Sequence, residues 1–164
     1  MTAVDITSNT AIEGNILELF KYVVPIDVNR IFERKGIVPG VQSSSNTEKW
    51  YKAGQTRTIV FDDNSQANET LESVIEPESF SYTITGFSSI LRFFVAKIDG
   101  TWTFQSKDGM TAIAWKYSLH PRKTVGYIII KLFIEKSMQR VLDNALRIIK
   151  SDYERSCIFK FATW

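Results

Sequence analysis

The strongest constraint in this chain is a change of hydrophobic period at Pro121. Before it, from Pro39 to His120, apolar residues alternate with polar ones and turn residues recur. After it, Ile134, Met138, Val141, Leu142, Ala145, Ile148 and Ile149 fall at steps of three and four. Alternation marks half-buried strands, and steps of three and four mark one face of a helix. Glu135, Lys136, Arg140, Asp143, Arg147 and Lys150 occupy the opposite face. One amphipathic helix is therefore predicted from about Thr124 to Asp152, roughly 40 Å long. Its first third, Tyr127 to Ile130 and Leu132 to Ile134, is apolar on nearly all sides. A segment that greasy has to be covered by more than one sheet face, or border a cavity or an oligomer contact.

Ahead of the helix, Thr56–Phe61 reads as a strand ending in the turn Asp62-Asp63-Asn64-Ser65. Ala67–Ile75, the Glu76-Pro77-Glu78 turn, and Phe80, Tyr82 and Ile84 in alternation follow. Gly86–Ser89 breaks the pattern before Leu91–Phe104, read as one long strand with a bulge at Asp99-Gly100. Lys107-Asp108-Gly109 turns the chain into Thr111–Leu119. At the N-terminus a short strand, Ala3–Thr7, is followed by a turn-like Ser8-Asn9-Thr10. Ile16, Leu17, Phe20, Val23 and Val24 then mark a helix ended by Pro25. A second short helix is predicted over Asp27–Arg34, with Asp27 as N-cap and Gly36 past its end.

Tight turns between consecutive strands give an antiparallel meander, and the first strand must pair with it. A twisted seven-stranded sheet curls, and only the long helix can fill its concave side. The predicted class is α+β: a curved seven-stranded antiparallel sheet around a long C-terminal helix, with two short helices between strands one and two. The gap near the short helices is a candidate ligand pocket.

Composition narrows the function. Of 164 residues 44% are hydrophobic and 21 are aromatic, which excludes a disordered chain. The single cysteine, Cys157, rules out an internal disulfide framework, and with only one histidine it cannot make a Cys/His zinc site. The longest apolar run, Val125–Ile134, is about half of what a membrane span needs. With no signal peptide pattern at Met1–Thr10, the expected location is cytoplasmic. Residues 1–115 carry a net charge of −4 and residues 116–164 of +6. A basic segment could touch nucleic acid or an anionic membrane, but its charges are interspersed with acids along the helix, so a solvated face is the better reading. GxGxxG, Walker A, GxSxG and HExxH patterns are absent, so no cofactor and no metal are expected.

The framework resembles the START-like (SRPBCC) superfamily, the helix-grip fold, and within it the bacterial polyketide cyclase/dehydrase-like branch. The residues that carry the likeness are Val24-Pro25-Ile26-Asp27, Ile31-Phe32, Gly36–Val41, Trp50, Gly54–Thr58, Glu69-Thr70-Leu71 and Phe80-Ser81-Tyr82. Leu91-Arg92-Phe93, Gly100–Phe104 and Trp115-Lys116-Tyr117 complete it. It covers residues 1–152. The stretch 153–164, with Cys157, Ile158, Phe159, Phe161 and Trp164, is a hydrophobic tail expected to dock on the domain or on a partner subunit, which leaves a homodimer open.

The resemblance implies a pocket between sheet and helix, with gates near Asp62–Ser65, Gly86–Ser89 and Arg122–Gly126. It also implies a ligand site drawn from Arg57, Glu69, Tyr82, Trp102, Trp115, Tyr117 and Ile130. Glu69 matches a pocket glutamate of several relatives and is the best candidate for acid/base work. Its alternative role is a cross-strand pair with Arg57. His120 is a weaker candidate base and Cys157 a weaker nucleophile. Three functions follow: a carrier for a hydrophobic small molecule or lipid, a cyclase/dehydratase-type enzyme in the same pocket, or a co-chaperone-like interaction module. The scaffold alone does not choose among them.

Overall fold

The computed structural model describes residues 2–46 and 48–161, the side chain of Phe161 excepted. Seven antiparallel strands form one sheet in the order β1-β7-β6-β5-β4-β3-β2. They are β1 (Val4–Glu13), β2 (Val41–Ser44), β3 (Thr56–Phe61), β4 (Gln66–Ile75), β5 (Ser79–Thr85), β6 (Val95–Lys107) and β7 (Met110–Pro121). Helix α1 (Ile16–Val23) follows β1, and the helical C-terminal segment lies across the concave face. This is the helix-grip architecture the period change calls for.

Local chemistry explains most boundaries. Asn15 caps α1 by accepting from the amides of Leu17 and Glu18 at 2.9 and 3.2 Å. The β6–β7 hairpin turns on Asp108 and Gly109, both with positive φ (52° and 76°), the two-residue geometry that matches strand twist. In the Asp62–Ser65 turn, Asn64 takes φ 64° and the Asp63 carboxylate accepts the Ser65 amide at 2.9 Å.

Four elements differ from expectation. β1 runs on to Glu13, through the expected Ser8-Asn9-Thr10 turn. Ser8 points inward and is buried because its hydroxyl donates to Asp143 on the helix, at 2.6 Å. A polar residue that looked like a turn is thus a strand residue with its partner far along the chain. Asp27–Arg34 forms only a 3-10 turn, Val28–Arg30, capped by Asp27.

Leu91–Phe104 is divided: Ile90–Phe93 is a 3-10 turn, and β6 begins at Val95. The bulge falls between Val95 and Lys97, while Asp99 and Gly100 keep regular register. The C-terminal helix extends to Phe161, through α2 (Lys123–Ile129), a π-helical turn (Ile130–Ile134) and α3 (Glu135–Phe161). The predicted tail is therefore, as far as Phe161, a continuation of the helix, with Ile158 and Phe159 exposed. Trp164 lies outside the described residues.

Gly100 is flat in the strand because of what lies over it. It pairs with Tyr82 on one side and Tyr117 on the other. A Cβ here would come within 2.3 Å of the Tyr82 ring. The missing side chain lets Tyr82 lean across β6, its ring edge-on to Tyr117 with centroids 6.3 Å apart. Gly100→Ala is expected to cost about 1–3 kcal/mol by overpacking. Urea unfolding should show a lower midpoint with an unchanged slope, and the tryptophan fluorescence of the native state should shift.

Candidate functional site

Register sorts the concave face into three cross-strand rows. The first is Phe80–Trp102–Trp115, the second Tyr82–Gly100–Tyr117 and the third Ile84–Ile98–Leu119. The first row is packed solid. Trp102 stacks on Trp115 at 4.4 Å and on Phe80 at 5.5 Å, and Phe20 of α1 closes edge-on over Phe80 and Phe104.

Over the other two rows the interior is hollow, with a cavity of about 290 Å³. Its sheet wall includes Ile59, Glu69, Tyr82, Ile84, Ile98, Tyr117 and Leu119, with one face of Trp115. The helical wall is Ile129, Ile134 and Met138. Ile37–Pro39, the Asp63–Ser65 turn and Ser89–Leu91 stand at the rim.

The third row continues into a charged pair. Ile84 is opposite Glu69, and Glu69 is opposite Arg57. Arg57 Nε donates to Glu69 Oε2, and both side chains are almost wholly buried. The Arg57 guanidinium lies 4.1 Å from the centre of the Trp50 ring, a cation–π contact. Its Nη1 is the one buried side-chain nitrogen or oxygen among the described residues without a hydrogen-bond partner. Burial pushes the Glu69 carboxyl above its usual range, against the pull of Arg57. Glu69 is both the structural partner of Arg57 and part of the cavity wall, so the two roles weighed for it coexist.

Tyr82 sits next to Glu69 in the wall, but its hydroxyl is already engaged. It accepts from the indole of Trp115 at 2.9 Å and from that of Trp102 at 3.4 Å, and Tyr117 hydrogen-bonds to it as well. Burial first, and then the Glu69 charge, push the Tyr82 hydroxyl far above its ordinary value; burial and Tyr82 do the same to Tyr117. Both phenols stay protonated near neutral pH.

The residues singled out from sequence therefore separate. Glu69, Tyr82, Trp115 and Tyr117 line the cavity. Arg57 and Trp102 lie behind them, around a second void of about 20 Å³ that Glu69, Tyr82 and Trp115 also border. Ile130 is fully buried but outside the lining, where its neighbour Ile129 stands. Of the expected gates, Asp63, Ser65, Phe87 and Ser89 reach the cavity. Arg122–Gly126 does not, because α2 is held against Phe94, whose carbonyl accepts the Arg122 amide at 2.7 Å.

His120 is on the far face of the sheet, bonded through Nε2 to Asp99 at 2.7 Å. Partial burial raises Asp99, but hydrogen bonds from Lys97, Thr83 and His120 outweigh it and hold the carboxyl below its usual range. The aliphatic lining escaped notice because Ile84 and Leu119 look like ordinary core. Their signal is the step of two from Tyr82 and from Tyr117. Among the described residues no cluster of His, Cys, Asp and Glu could hold a metal, and no helix is long and apolar enough to cross a membrane.

No family model and no curated protein matches the sequence. Solved structures do. Major latex-like protein 151 from Panax ginseng superposes with a TM-score of 0.64 at 13% identity, over 93% of this chain and 98% of that one. The protein XoxI from Bacillus cereus gives 0.63 at 15% identity, over 91% and 94%. DynU16, a protein of the dynemicin biosynthetic locus, gives 0.60 at 11% identity, over 92% of this chain but 47% of its own. At such identities the likeness is one of fold, and it is clear: this chain has the START-like, SRPBCC-type helix-grip fold.

Breaking the charged pair tests its structural share. Glu69→Gln leaves Arg57 buried without a counter-charge and is expected to cost about 3–5 kcal/mol. The double variant Arg57→Met/Glu69→Leu should recover most of that in thermal or urea unfolding.

Proposed function

We propose that this chain binds a hydrophobic small molecule or lipid in the cavity between sheet and helix, with a hydrogen-bond donor of the ligand against Glu69. The observation that carries the reading is a largely apolar cavity of about 290 Å³ with Glu69, ion-paired to Arg57 behind it, in its wall. That volume is near the lower end of the range for ligand pockets. Aliphatic side chains from sheet and helix supply affinity without direction. The Glu69 carboxylate faces them as an acceptor, which favours a hydroxyl or amide end over a carboxylate. A cytoplasmic carrier or receptor fits this reading.

The cyclase/dehydratase reading has one observation behind it, the adjacency of Glu69 and Tyr82 in the same wall. Against it, Tyr82 has its oxygen engaged by two indoles, and both tyrosines have hydroxyls raised far from neutral pH. A proton shuttle needs a group poised near the working pH. Binding is therefore the better supported function.

Native mass spectrometry of the purified protein, with a thermal-shift screen of fatty acids, sterols and aromatic polyketides, tests this. A co-purified or added ligand should be retained. At a hundredfold excess over Kd it should stabilise by about 2.7 kcal/mol. Met138→Trp, which projects bulk from the helical wall into the cavity, should abolish the shift while the protein stays folded. A protein free of ligand that no compound stabilises contradicts the proposal.

A further inference from the structure

The cavity mouth adjoins an apolar surface that no other described residue covers. On α2 and the π-helical turn, Val125 is 60% exposed, Leu132 69% and Phe133 56%, with Ile128 open beside them. On the 3-10 turn Ile90–Phe93, Ile90 is 72% exposed and Phe93 60%. The two elements are clamped together. The Phe94 carbonyl accepts the Arg122 amide, and a Cβ on Gly126 would meet that same oxygen at 2.3 Å, so glycine is what lets α2 lie so close. The surface is continuous with the cavity, since Ile90 and Leu91 line it and so does Ile129 on α2. Single exposed apolar residues need no explanation, but two adjoining runs at a pocket mouth do.

The charges on these elements suggest what covers it. Arg92, Arg122, Lys123 and Lys131 are exposed on the same two segments. On the helix, Glu135 is paired with Lys131 at 2.7 Å. Across the mouth, Asp62 is engaged by Arg34, and Asp63 is hydrogen-bonded within its own turn. Apolar side chains flanked by lysine and arginine match the headgroup boundary of an anionic bilayer. A second copy matches less well, because a two-fold contact would bring the same cations face to face. The sequence reading of a solvated basic face applies to α3 and not to this surface.

We infer that the face made by residues 90–93 and 122–133 docks reversibly on anionic lipid membrane, with the cavity mouth turned toward the bilayer. The docking rests on the exposed surface, and its purpose, passage of an apolar ligand between bilayer and cavity, rests on the proposed function.

Co-sedimentation of the full chain with vesicles tests it, using phosphatidylcholine alone and phosphatidylcholine mixed with phosphatidylserine. Binding to the mixed vesicles should be at least about tenfold tighter and should weaken with added salt. Leu132→Asp/Phe133→Asp should reduce it by at least about tenfold, and Arg122→Glu/Lys123→Glu should remove the preference for phosphatidylserine. Thermal melting should confirm that both variants fold, since all four side chains are exposed. Met138→Trp should keep vesicle binding, so failure of the ligand proposal and failure of the docking are told apart. No binding of the wild type to either vesicle overturns the inference. So does a dimer, seen in analytical ultracentrifugation, that Leu132→Asp/Phe133→Asp dissolves in a protein that ignores vesicles.

Discussion

The close approach of Tyr82 to the backbone at Gly100 is the contact on which the interior depends. With no side chain on β6 at that point, Tyr82 can lie between its neighbours and take the indole N–H groups of Trp102 and Trp115 on one oxygen. Three large aromatic residues on adjacent strands become one polar-tipped wall with its hydrogen bonds satisfied inside. On one side of that wall the sheet is filled by Phe20, Phe80 and Phe104. On the other side Ile59, Ile84, Ile98 and Leu119 rise from the strands without filling the space beneath the helix. The solid half is packed from aromatic rings, whereas in the hollow half isoleucine, leucine and methionine share the lining with Phe61, Tyr82, Trp115 and Tyr117.

The wall also isolates charge. Arg57 and Glu69 are out of water, and a buried ion pair adds little net stability because desolvation offsets the attraction. Its position matters more than its strength. It sits where the solid and hollow halves meet, with Trp50 over the guanidinium and the carboxylate on the cavity side. A largely apolar space with a buried carboxylate in its wall orients whatever enters it. The helical wall completes this arrangement. The π-helical turn buries Ile130 and Ile134 while leaving Leu132 and Phe133 in the open. One segment therefore serves both the interior and the outer surface.

Much of this was legible in the sequence, and what was not has definable causes. Period two followed by period three to four identified sheet and helix, and the turn clusters at Asp62–Ser65 and Lys107–Gly109 located the hairpins. Strand β1 was read short because Ser8 carries a polar side chain whose partner, Asp143, is far away in sequence. A bulge was assigned to Gly100 because glycine in a strand signals either a bulge or a close approach, and only the register distinguishes them. The helix end was missed because Tyr153, Cys157 and Ile158 lie beyond the stretch that carries the resemblance, and Ile158 and Phe159 stay exposed instead of marking a buried face. Glu69 stood out by chemistry, whereas the lining from Ile84, Ile98 and Leu119 did not, since a residue around a void and one in a packed core have the same composition. Ile129 and Ile130 differ by one position across a π-helical turn, which periodicity cannot resolve.

Whether the space over Ile84, Ile98 and Leu119 is hollow can be measured directly with a crystal of the protein held under xenon. Apolar cavities of this kind stay dry and take up xenon, while a packed core does not. Anomalous density between Ile84, Ile98, Leu119 and Met138 is the expected result. Side chains closed over that space, with no xenon and no other density there, would contradict the division of the interior into a solid and a hollow half.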